Sequence, residues 1–284
     1  MPELPEVETV RRGLEPILNH AIVACDVRRR DVIRNRCGDH PNPRRGGIEP
    51  CALGIGSRVI GLERLGKQLA LVLREDRGHD RFIVIQLGMS GQVSLIDSTR
   101  IPDAKHVHVV WTLDNTQRVC FRDPRRFGRV NLLNDRDALD ACWSSLGPDA
   151  LTITNTQLRD QLGSSTRTIK AALLDQGVLA GVGNIYADEA LHRAWIDPRI
   201  GCDALSRDQV STLARCIREV LRAAVRARGS TLRDYRDASD QPGNAQSLHQ
   251  VYGRAGEPCF RCGTPIESTQ IAQRTTCWCP TCQA

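Results

Sequence analysis

Four cysteines near the end of the chain have the spacing of metal ligands. Cys259 and Cys262 form one C-x-x-C pair, and Cys279 and Cys282 form a second pair after sixteen intervening residues. Two such pairs supply four thiolates, the ligand set of a tetrahedral structural zinc site. A site closed by four protein ligands has no position for a reacting water, so we expect one structural zinc ion. We expect Arg274, five residues before Cys279, on a small β-hairpin held by that zinc.

The second residue of the chain offers a nucleophile. Removal of Met1 would leave Pro2 with a secondary amine, and a terminal amine has an ordinary pKa of ~7.7–8.0, against ~10.4 for lysine. Part of such an amine is neutral at pH 7, and its attack on a sugar C1′ gives an iminium that makes the C2′ proton acidic. Glu3 is adjacent and can supply or take a proton. Taken alone, Pro2-Glu3 is better explained as an ordinary trimmed terminus and helix start.

Composition indicates a basic protein without a membrane segment. The chain has 284 residues, enough for two compact domains, and a net charge of +6. Of its 39 basic residues only Lys67, Lys105 and Lys170 are lysines. Arginine favours bidentate contacts with phosphate, although GC-rich coding also enriches it. We find no apolar run of ~20 residues and no secretory signal, so we expect a cytoplasmic protein.

The first half of the chain has the pattern of an antiparallel β-sandwich or barrel. A short helix is expected after the N-terminus, with Val7, Val10 and Leu14 on one face. A stretch rich in Gly and Pro, residues 36–56, predicts a long loop. Short apolar runs separated by turn residues then predict strands. These runs are Val59–Leu62, Leu69–Leu73, Phe82–Leu87, Val107–Trp111 and Val119–Phe121.

After Gly147-Pro148 the pattern becomes helical. Thr154 with Gln157, and Ser206 with Gln209, have the spacing of capping boxes at helix starts. The apolar residues Leu213, Ile217 and Leu221 keep a helical period, and Gly229 follows as a stop signal. The sequence therefore predicts a β domain, a helical domain and a small metal module.

Several motifs occur together in one order. They are Pro2-Glu3-Leu4-Pro5-Glu6-Val7-Glu8-Thr9, Gly88-Met89-Ser90-Gly91, Asp123-Pro124-Arg125-Arg126-Phe127-Gly128, Gly181-Val182-Gly183-Asn184-Ile185-Tyr186-Ala187 and the terminal cysteine pattern. This set resembles the formamidopyrimidine-DNA glycosylase family (Fpg, or MutM) over essentially the whole chain. The opening resembles the purine-specific branch, because the endonuclease VIII branch usually has Gly where Leu4 stands.

The resemblance implies an α+β fold in three parts, with DNA in the cleft between domains. An N-terminal antiparallel β-sandwich with the catalytic residues would cover residues 1–147. A helix–two-turn–helix DNA-binding domain would cover residues 148–240. A lesion-capping loop and the zinc-finger hairpin would cover residues 241–284.

The resemblance also implies roles in catalysis. Pro2 matches the Schiff-base nucleophile and Glu3 the general acid or base. Lys67 matches the lysine of the β-elimination step, although a solvated charge at a strand end would look the same. Arg274 matches the zinc-finger arginine that acts in the second elimination and also binds phosphate.

Further residues match the family's DNA contacts. Met89, Arg125 and Phe127 match residues inserted into the duplex when a base is flipped, with Arg125 facing the orphaned cytosine. Core packing is the alternative for Met89 and Phe127. A surface ion pair with Asp123 is the alternative for Arg125. The other matches to DNA-contacting residues are His106, Lys170, Asn184 and Tyr186.

Each of these other matches has its own basis or alternative. Asn184 and Tyr186 start a helix whose N–H groups could hold a phosphate. Lys170 could instead be a solvated helix charge. His108 alternates with His106 and could be a surface residue.

Some positions depart from the family pattern. Gln86 stands where His often precedes Leu-Gly-Met, and Asn244-Ala245 stand where Tyr-Phe is common. Ser164 and Ser165 replace part of a usually basic run. The loop over residues 36–56 is longer than usual. These departures leave the exact lesion range open.

The function expected from the resemblance is a bifunctional glycosylase and abasic-site lyase that removes oxidised purines in base excision repair. Its partner would be double-stranded DNA with an oxidised purine or an abasic site, and it would act as a monomer. Two alternatives remain: an endonuclease VIII-type enzyme for oxidised pyrimidines, and a non-catalytic DNA-binding zinc protein.

Overall fold

The computed structural model describes residues 2–34, 53–97, 105–163 and 165–284. The long loop expected over residues 36–56 therefore lies, as far as residue 52, outside the described residues, as does Ser164. The described chain packs as two compact units. Within the ranges just given, no helix is both long and apolar enough to cross a membrane.

The first unit contains Pro2, Glu6–Ser145 and Ser230–Gly243. Its helices are α1 (Leu4–Gly13), which starts in the second unit, and α2 (Arg136–Trp143). One sheet has the order β1 (Ile22–Val27), β7 (Val107–Leu113), β8 (Arg118–Arg122) and β6 (Gln92–Ile96). The other has the order β2 (Ile33–Arg34), β9 (Arg129–Leu133), β5 (Asp80–Gln86), β4 (Gln68–Arg74) and β3 (Arg58–Leu65).

The two sheets share one hydrophobic core. All their strand pairs are antiparallel except the short pair of β2 with β9. The core combines Leu71 of β4 with Trp111 of β7, Phe121 of β8 and the α1 residues Val7 and Val10. The predicted antiparallel β-sandwich is confirmed, and each predicted apolar run contributes to a strand.

Strand β4 has an unbroken apolar sequence because both of its faces are buried. Leu69, Leu71 and Leu73 face the core between the sheets. Ala70 and Val72 belong to a second cluster with side chains of α2. Because both faces of the strand are covered, apolar residues occupy successive positions instead of alternate ones.

The second unit contains Glu3–Pro5, Leu146–Gly229 and Asn244–Ala284. It is built from α3 (Asn155–Leu162), α4 (Ile169–Leu174), α5 (Asn184–Arg193), α6 (Arg207–Arg226) and a hairpin of β10 (Glu267–Ile271) with β11 (Arg274–Trp278). Both predicted capping boxes are present, at the starts of α3 and α6. On α6, Leu213, Ile217 and Leu221 are buried in the helical core, as their spacing predicts.

This division differs from the three predicted parts. The helices and the terminal hairpin fall in one unit, and residues 230–243 pack with the β-sandwich. Glu6 contributes to that packing. Its carboxylate accepts a hydrogen bond from Ser230 N at 2.7 Å, and its carbonyl oxygen accepts one from Tyr235 Oη at 3.2 Å. These partners are more than 220 residues away in the chain, so a local sequence pattern carries no sign of them.

Candidate active site

Glu3, next to the candidate nucleophile, is bound by the first turn of α5. Its carboxylate is 2% exposed and accepts hydrogen bonds from the backbone N–H groups of Gly183 (2.7 Å), Ile185 (2.9 Å) and Tyr186 (3.4 Å). N–H groups at a helix start lack intrahelical partners and lie at the positive end of the helix dipole. The site therefore favours the ionised carboxylate and fixes its position. Pro2, one peptide bond away, is also buried.

This arrangement requires glycine at position 183. A Cβ atom on Gly183 would overlap the Glu3 carboxyl carbon, so a larger residue would displace the carboxylate. Leu4 adds a second attachment, because its N–H donates to the Gly181 carbonyl oxygen at 3.0 Å. The glycine-rich turn thus holds residues 3 and 4 of the chain.

The same contacts revise the role expected for the start of α5. The anion bound there is the chain's own Glu3 carboxylate, so the N–H groups of Ile185 and Tyr186 are already engaged. The Tyr186 ring is buried in the helical core, which argues against direct contact with DNA. Asn184 is only partly buried, and its Nδ2 donates to the Thr275 carbonyl oxygen at 2.8 Å.

Lys67 lies in a tight turn directly before strand β4, close to the strand end where the sequence analysis expects it. Leu65 of β3 pairs with Gln68 of β4, so Gly66 and Lys67 form a two-residue hairpin loop. Gly66 has φ +55°, as the first central position of such loops requires. Lys67 is half-exposed, and Arg64 donates to the Gly66 carbonyl oxygen at 3.0 Å.

Met89, Arg125 and Phe127 lie on two turns that are joined by hydrogen bonds. The carboxylate of Asp123 is fully buried and accepts hydrogen bonds from Ser90 Oγ at 2.6 Å and from the Gly128 N–H at 2.7 Å. Ser90 Oγ in turn accepts the Arg125 N–H at 3.1 Å. Asp123 and Ser90 are therefore structural residues of this site whose role the sequence analysis did not identify, although an Asp directly before Pro is a turn signal.

The side chains on these turns are exposed, so core packing does not explain them. Met89 is 44% and Phe127 56% exposed, and Arg125 is exposed as well. The alternative that Arg125 pairs with Asp123 on the surface is wrong, because that carboxylate is buried and bonds to backbone and Ser90 groups. Two apolar side chains and a guanidinium are thus presented together to solvent.

The two histidines near this site have different roles. His106 is partly exposed in a left-handed turn (φ +68°), and its carbonyl oxygen accepts the Asp123 N–H at 2.9 Å. His108 is buried, and its Nε2 donates to the Asp123 carbonyl oxygen at 2.7 Å. The interpretation of His108 as a surface residue is therefore wrong: it supports the turn that carries Arg125.

Lys170 is not a solvated helix charge. Its side chain is 0% exposed, and Nζ forms an ion pair with Asp188 at 2.6 Å and a hydrogen bond with Thr276 Oγ1 at 2.8 Å. Nζ also donates to the Thr275 carbonyl oxygen, and Asp188 accepts the Cys277 N–H at 3.0 Å. Burial lowers the pKa of Lys170 and raises the pKa of Asp188 to about 7, while the ion pair opposes both shifts.

This network bears on the contact with DNA expected for Lys170. Its ammonium is enclosed by α5 and β11 groups, so direct contact with a phosphate would require these bonds to break. The observed partners instead fix β11, whose first residue is Arg274. Arg274 is exposed beside a two-residue turn in which Ala272 and Gln273 both have positive φ. The predicted hairpin position of Arg274 is confirmed.

The four predicted zinc ligands come together at the base of this hairpin. The sulfur atoms of Cys259, Cys262, Cys279 and Cys282 all lie within 4.8 Å of one another. Zn–S bonds of about 2.3 Å in a tetrahedron place sulfurs about 3.8 Å apart, so the cluster fits one structural zinc ion. Cys277, although close in sequence, does not belong to the cluster.

A β-sandwich, a set of helices and a hairpin with a four-cysteine cluster follow one another in the chain, which is the order of parts in a zinc-finger enzyme of the helix–two-turn–helix class. Family models match in the same order. The model of the formamidopyrimidine-DNA glycosylase N-terminal domain matches residues 1–130, that of the H2TH domain of the same enzyme matches residues 146–236, and that of a zinc finger found in FPG and IleRS matches residues 256–284. The chain belongs to the formamidopyrimidine-DNA glycosylase family.

Individual relatives are similar to this chain over its full length. The formamidopyrimidine-DNA glycosylase of Herpetosiphon aurantiacus is 42% identical, with all of both chains covered. A solved structure of a Lactococcus lactis FPG variant with DNA containing Fapy-dG has a TM-score of 0.86 at 32% identity, and 99% of each chain is covered. MutM (FPG) of Thermus thermophilus has a TM-score of 0.82 at 38% identity, over 99% of this chain and 98% of that one.

Proposed function

We propose that this protein is a bifunctional DNA glycosylase and abasic-site lyase that excises oxidised purines, 8-oxoguanine and formamidopyrimidines among them, in base excision repair. The observation that carries the proposal is the carboxylate of Glu3, which is fixed by backbone N–H groups and belongs to the residue directly after the proposed nucleophile Pro2. The Lactococcus lactis relative, whose solved complex contains Fapy-dG DNA, supports the substrate class.

The first step is attack by the Pro2 amine, freed by removal of Met1. Its nitrogen forms a bond to the sugar C1′, and the bond from C1′ to the damaged base breaks, so the base leaves with the electron pair and is protonated. A terminal amine needs no special burial to be partly neutral at pH 7. Glu3, held in its ionised form, accepts the amine proton at this step. It then returns this proton to O4′ as the C1′–O4′ bond breaks, which opens the sugar ring and leaves an iminium between C1′ and the Pro2 nitrogen.

Two eliminations then cut the strand. The iminium at C1′ acidifies the C2′ proton, whose loss expels the 3′ phosphate; a second elimination expels the 5′ phosphate. We assign Lys67 to the first elimination and Arg274 to the second. Both side chains carry charges that can bind the phosphates that leave.

Base flipping leaves a gap that the enzyme has to fill. Met89 and Phe127 have exposed apolar side chains that we assign to insertion, and we assign the exposed Arg125 to face the orphaned cytosine. His106 and Asn184, both partly exposed, are the remaining candidates for contact with the DNA backbone. We propose that the protein acts on double-stranded DNA as a cytoplasmic monomer, and sedimentation with and without DNA tests the oligomeric state.

Borohydride trapping tests the chemistry and the substrate class together. We expect trapped complex with duplexes that contain 8-oxoguanine, a formamidopyrimidine or an abasic site, and less with oxidised pyrimidines. A protein with a verified extra residue before Pro2 should bind the same DNA but give no trapped complex. Normal trapping by the extended protein would assign the nucleophile to a lysine. Trapping only with oxidised pyrimidines would assign the substrate range of the endonuclease VIII type.

A further inference from the structure

The side chain of Arg64 joins helix α1 to the turn that carries Lys67. Its Nε donates to Oε2 of Glu8 at 3.0 Å, and its Nη1 donates to the Gly66 carbonyl oxygen at 3.0 Å. The side chains of Arg64 and Glu8 are both only 7% exposed. A guanidinium holds its donors in one rigid plane, so two acceptors bound in this way have a fixed relative position.

The Glu8 end of this link is charged at neutral pH. Burial raises the pKa of Glu8, but hydrogen bonds from Arg11, Arg12 and Arg64 outweigh it and lower the pKa to about 2. Among these three arginines, Arg64 also bonds to the turn, whereas Arg11 and Arg12 come from the same helix as Glu8. Arg64 is therefore the partner of Glu8 that connects two elements.

The two connected elements each carry a proposed reacting group. Helix α1 begins at Leu4, directly after Pro2 and Glu3, and the turn is formed by Gly66 and Lys67. Pro2, Glu8 and the turn all belong to the first unit. A lysine side chain has four rotatable bonds, so the turn that carries it must be fixed if its ammonium is to be delivered reproducibly.

We propose that Arg64 is a positioning residue for Lys67, which fixes the Gly66–Lys67 turn against the Glu8 carboxylate of α1. This inference rests on the proposed function, since it gives Arg64 a role only through the elimination step assigned to Lys67. Because the Arg64 side chain is only 7% exposed, its proposed role is exerted through the turn. Its loss lets the turn shift, and a shift of about 1 Å in a reacting group can cost up to about 100-fold in rate.

The test is a double-mutant cycle on a duplex with one abasic site under single-turnover conditions. Strand cleavage and borohydride-trapped complex are measured for wild type, R64Q, K67Q and the double variant. We expect R64Q and K67Q each to slow cleavage about 10–100-fold. The double variant should be no slower than K67Q, because Arg64 has nothing to position once Lys67 is gone.

R12Q is the matched control. Arg12 also donates to Glu8, at 2.8 Å, but has no hydrogen bond to the turn. R12Q should therefore cleave at the wild-type rate. R64K keeps the charge but replaces the planar fork by a single ammonium, so we expect a thermal midpoint near that of R12Q with a cleavage rate between those of wild type and R64Q.

The outcomes separate this inference from the function on which it rests. If K67Q slows cleavage and R64K or R64Q does not, the role of Arg64 is refuted and that of Lys67 stands. Multiplication of the two losses in the double variant would show that Arg64 acts independently of Lys67, which would refute the positioning role. If K67Q cleaves normally while Pro2 is still trapped, the role of Lys67 fails, and the inference on Arg64 fails with it.

Discussion

The buried pair of Lys170 and Asp188 allows a prediction that distinguishes a structural lysine from a DNA contact. We consider Lys170→Met, which keeps the apolar stem, and Asp188→Asn, which keeps an acceptor for the Cys277 N–H. Each change leaves one charge of a 2.6 Å pair buried without its counterion. Removal of one partner of a buried ion pair typically costs about 3–5 kcal/mol.

The double variant should be less destabilised than the sum of the singles. With both charges removed, neither is left uncompensated, so a coupling energy of at least about 1 kcal/mol is expected. Thr276→Val is the matched control, because it removes one hydrogen-bond partner of Nζ and leaves the ion pair intact. That change should cost about 1.5–3 kcal/mol, the usual range for a hydrogen bond to a charged group.

Urea unfolding of the zinc-loaded protein at neutral pH measures these free energies, and the salt dependence of DNA binding supplies the second readout. A lysine that neutralises a phosphate changes the slope of log K against log salt by about 0.9. We expect a large loss of stability and an unchanged slope for Lys170→Met. A loss below about 1 kcal/mol together with a slope change near 0.9 would refute the structural role and restore Lys170 as a phosphate contact.

Three further predictions concern the other parts of the molecule. Zinc chelation or Cys262→Ser should unfold the terminal hairpin and weaken DNA binding, because a metal site supplies folding energy to a module with little core. Metal analysis that finds far less than one zinc per folded chain would contradict this prediction. Arg125→Ala should reduce excision opposite cytosine by about 1–3 kcal/mol and act much less on an abasic site in single-stranded DNA; equal losses on both substrates would indicate contact with phosphate or an effect on folding. The pKa of Glu8 is lowered to about 2 in the folded protein from an ordinary 4.5, so its ion pairs stabilise the folded state above pH 4.5, and this stabilisation is lost as pH falls towards 2. Glu8→Gln should therefore flatten the acid-unfolding profile between these pH values. An unchanged profile would refute the contribution of the ion pairs.

The sequence predicts well those features that depend on contacts between near neighbours. The capping boxes of Thr154 and Ser206 need only the residues three positions later. The cysteine pairs identify the metal site because each C-x-x-C turn brings two ligands together by itself. The central strand β4 can be predicted because it is apolar on both faces. Strand β1 was not predicted, because only Ile22 of its residues is fully buried.

Features that depend on distant partners could not be predicted in this way. Lys170 on α4 has the sequence context of a surface charge, and its burial follows from Asp188 on another helix and Thr276 more than 100 residues away. His108 lies two positions after the partly exposed His106, which suggests a shared surface face, yet its partner is the backbone of Asp123. In each case a polar side chain is buried because the fold supplies a partner, and period and spacing carry no information about that partner.

The N-terminus shows how such a distant contact could make the proposed chemistry possible. Chain termini are usually poorly ordered unless other contacts hold them, and a mobile amine would be a poor nucleophile. Here the Glu3 carboxylate occupies the start of α5, about 180 residues away, and the Leu4 N–H bonds to Gly181. Residues 3 and 4 are thereby fixed, so Pro2 has little freedom to move. Gly183→Ala should therefore impair Schiff-base formation although it touches neither Pro2 nor the DNA, because its added methyl group takes the space of the Glu3 carboxyl group. Trapping at the wild-type rate by a stably folded Gly183→Ala protein would show that the position of Glu3 does not control the nucleophile.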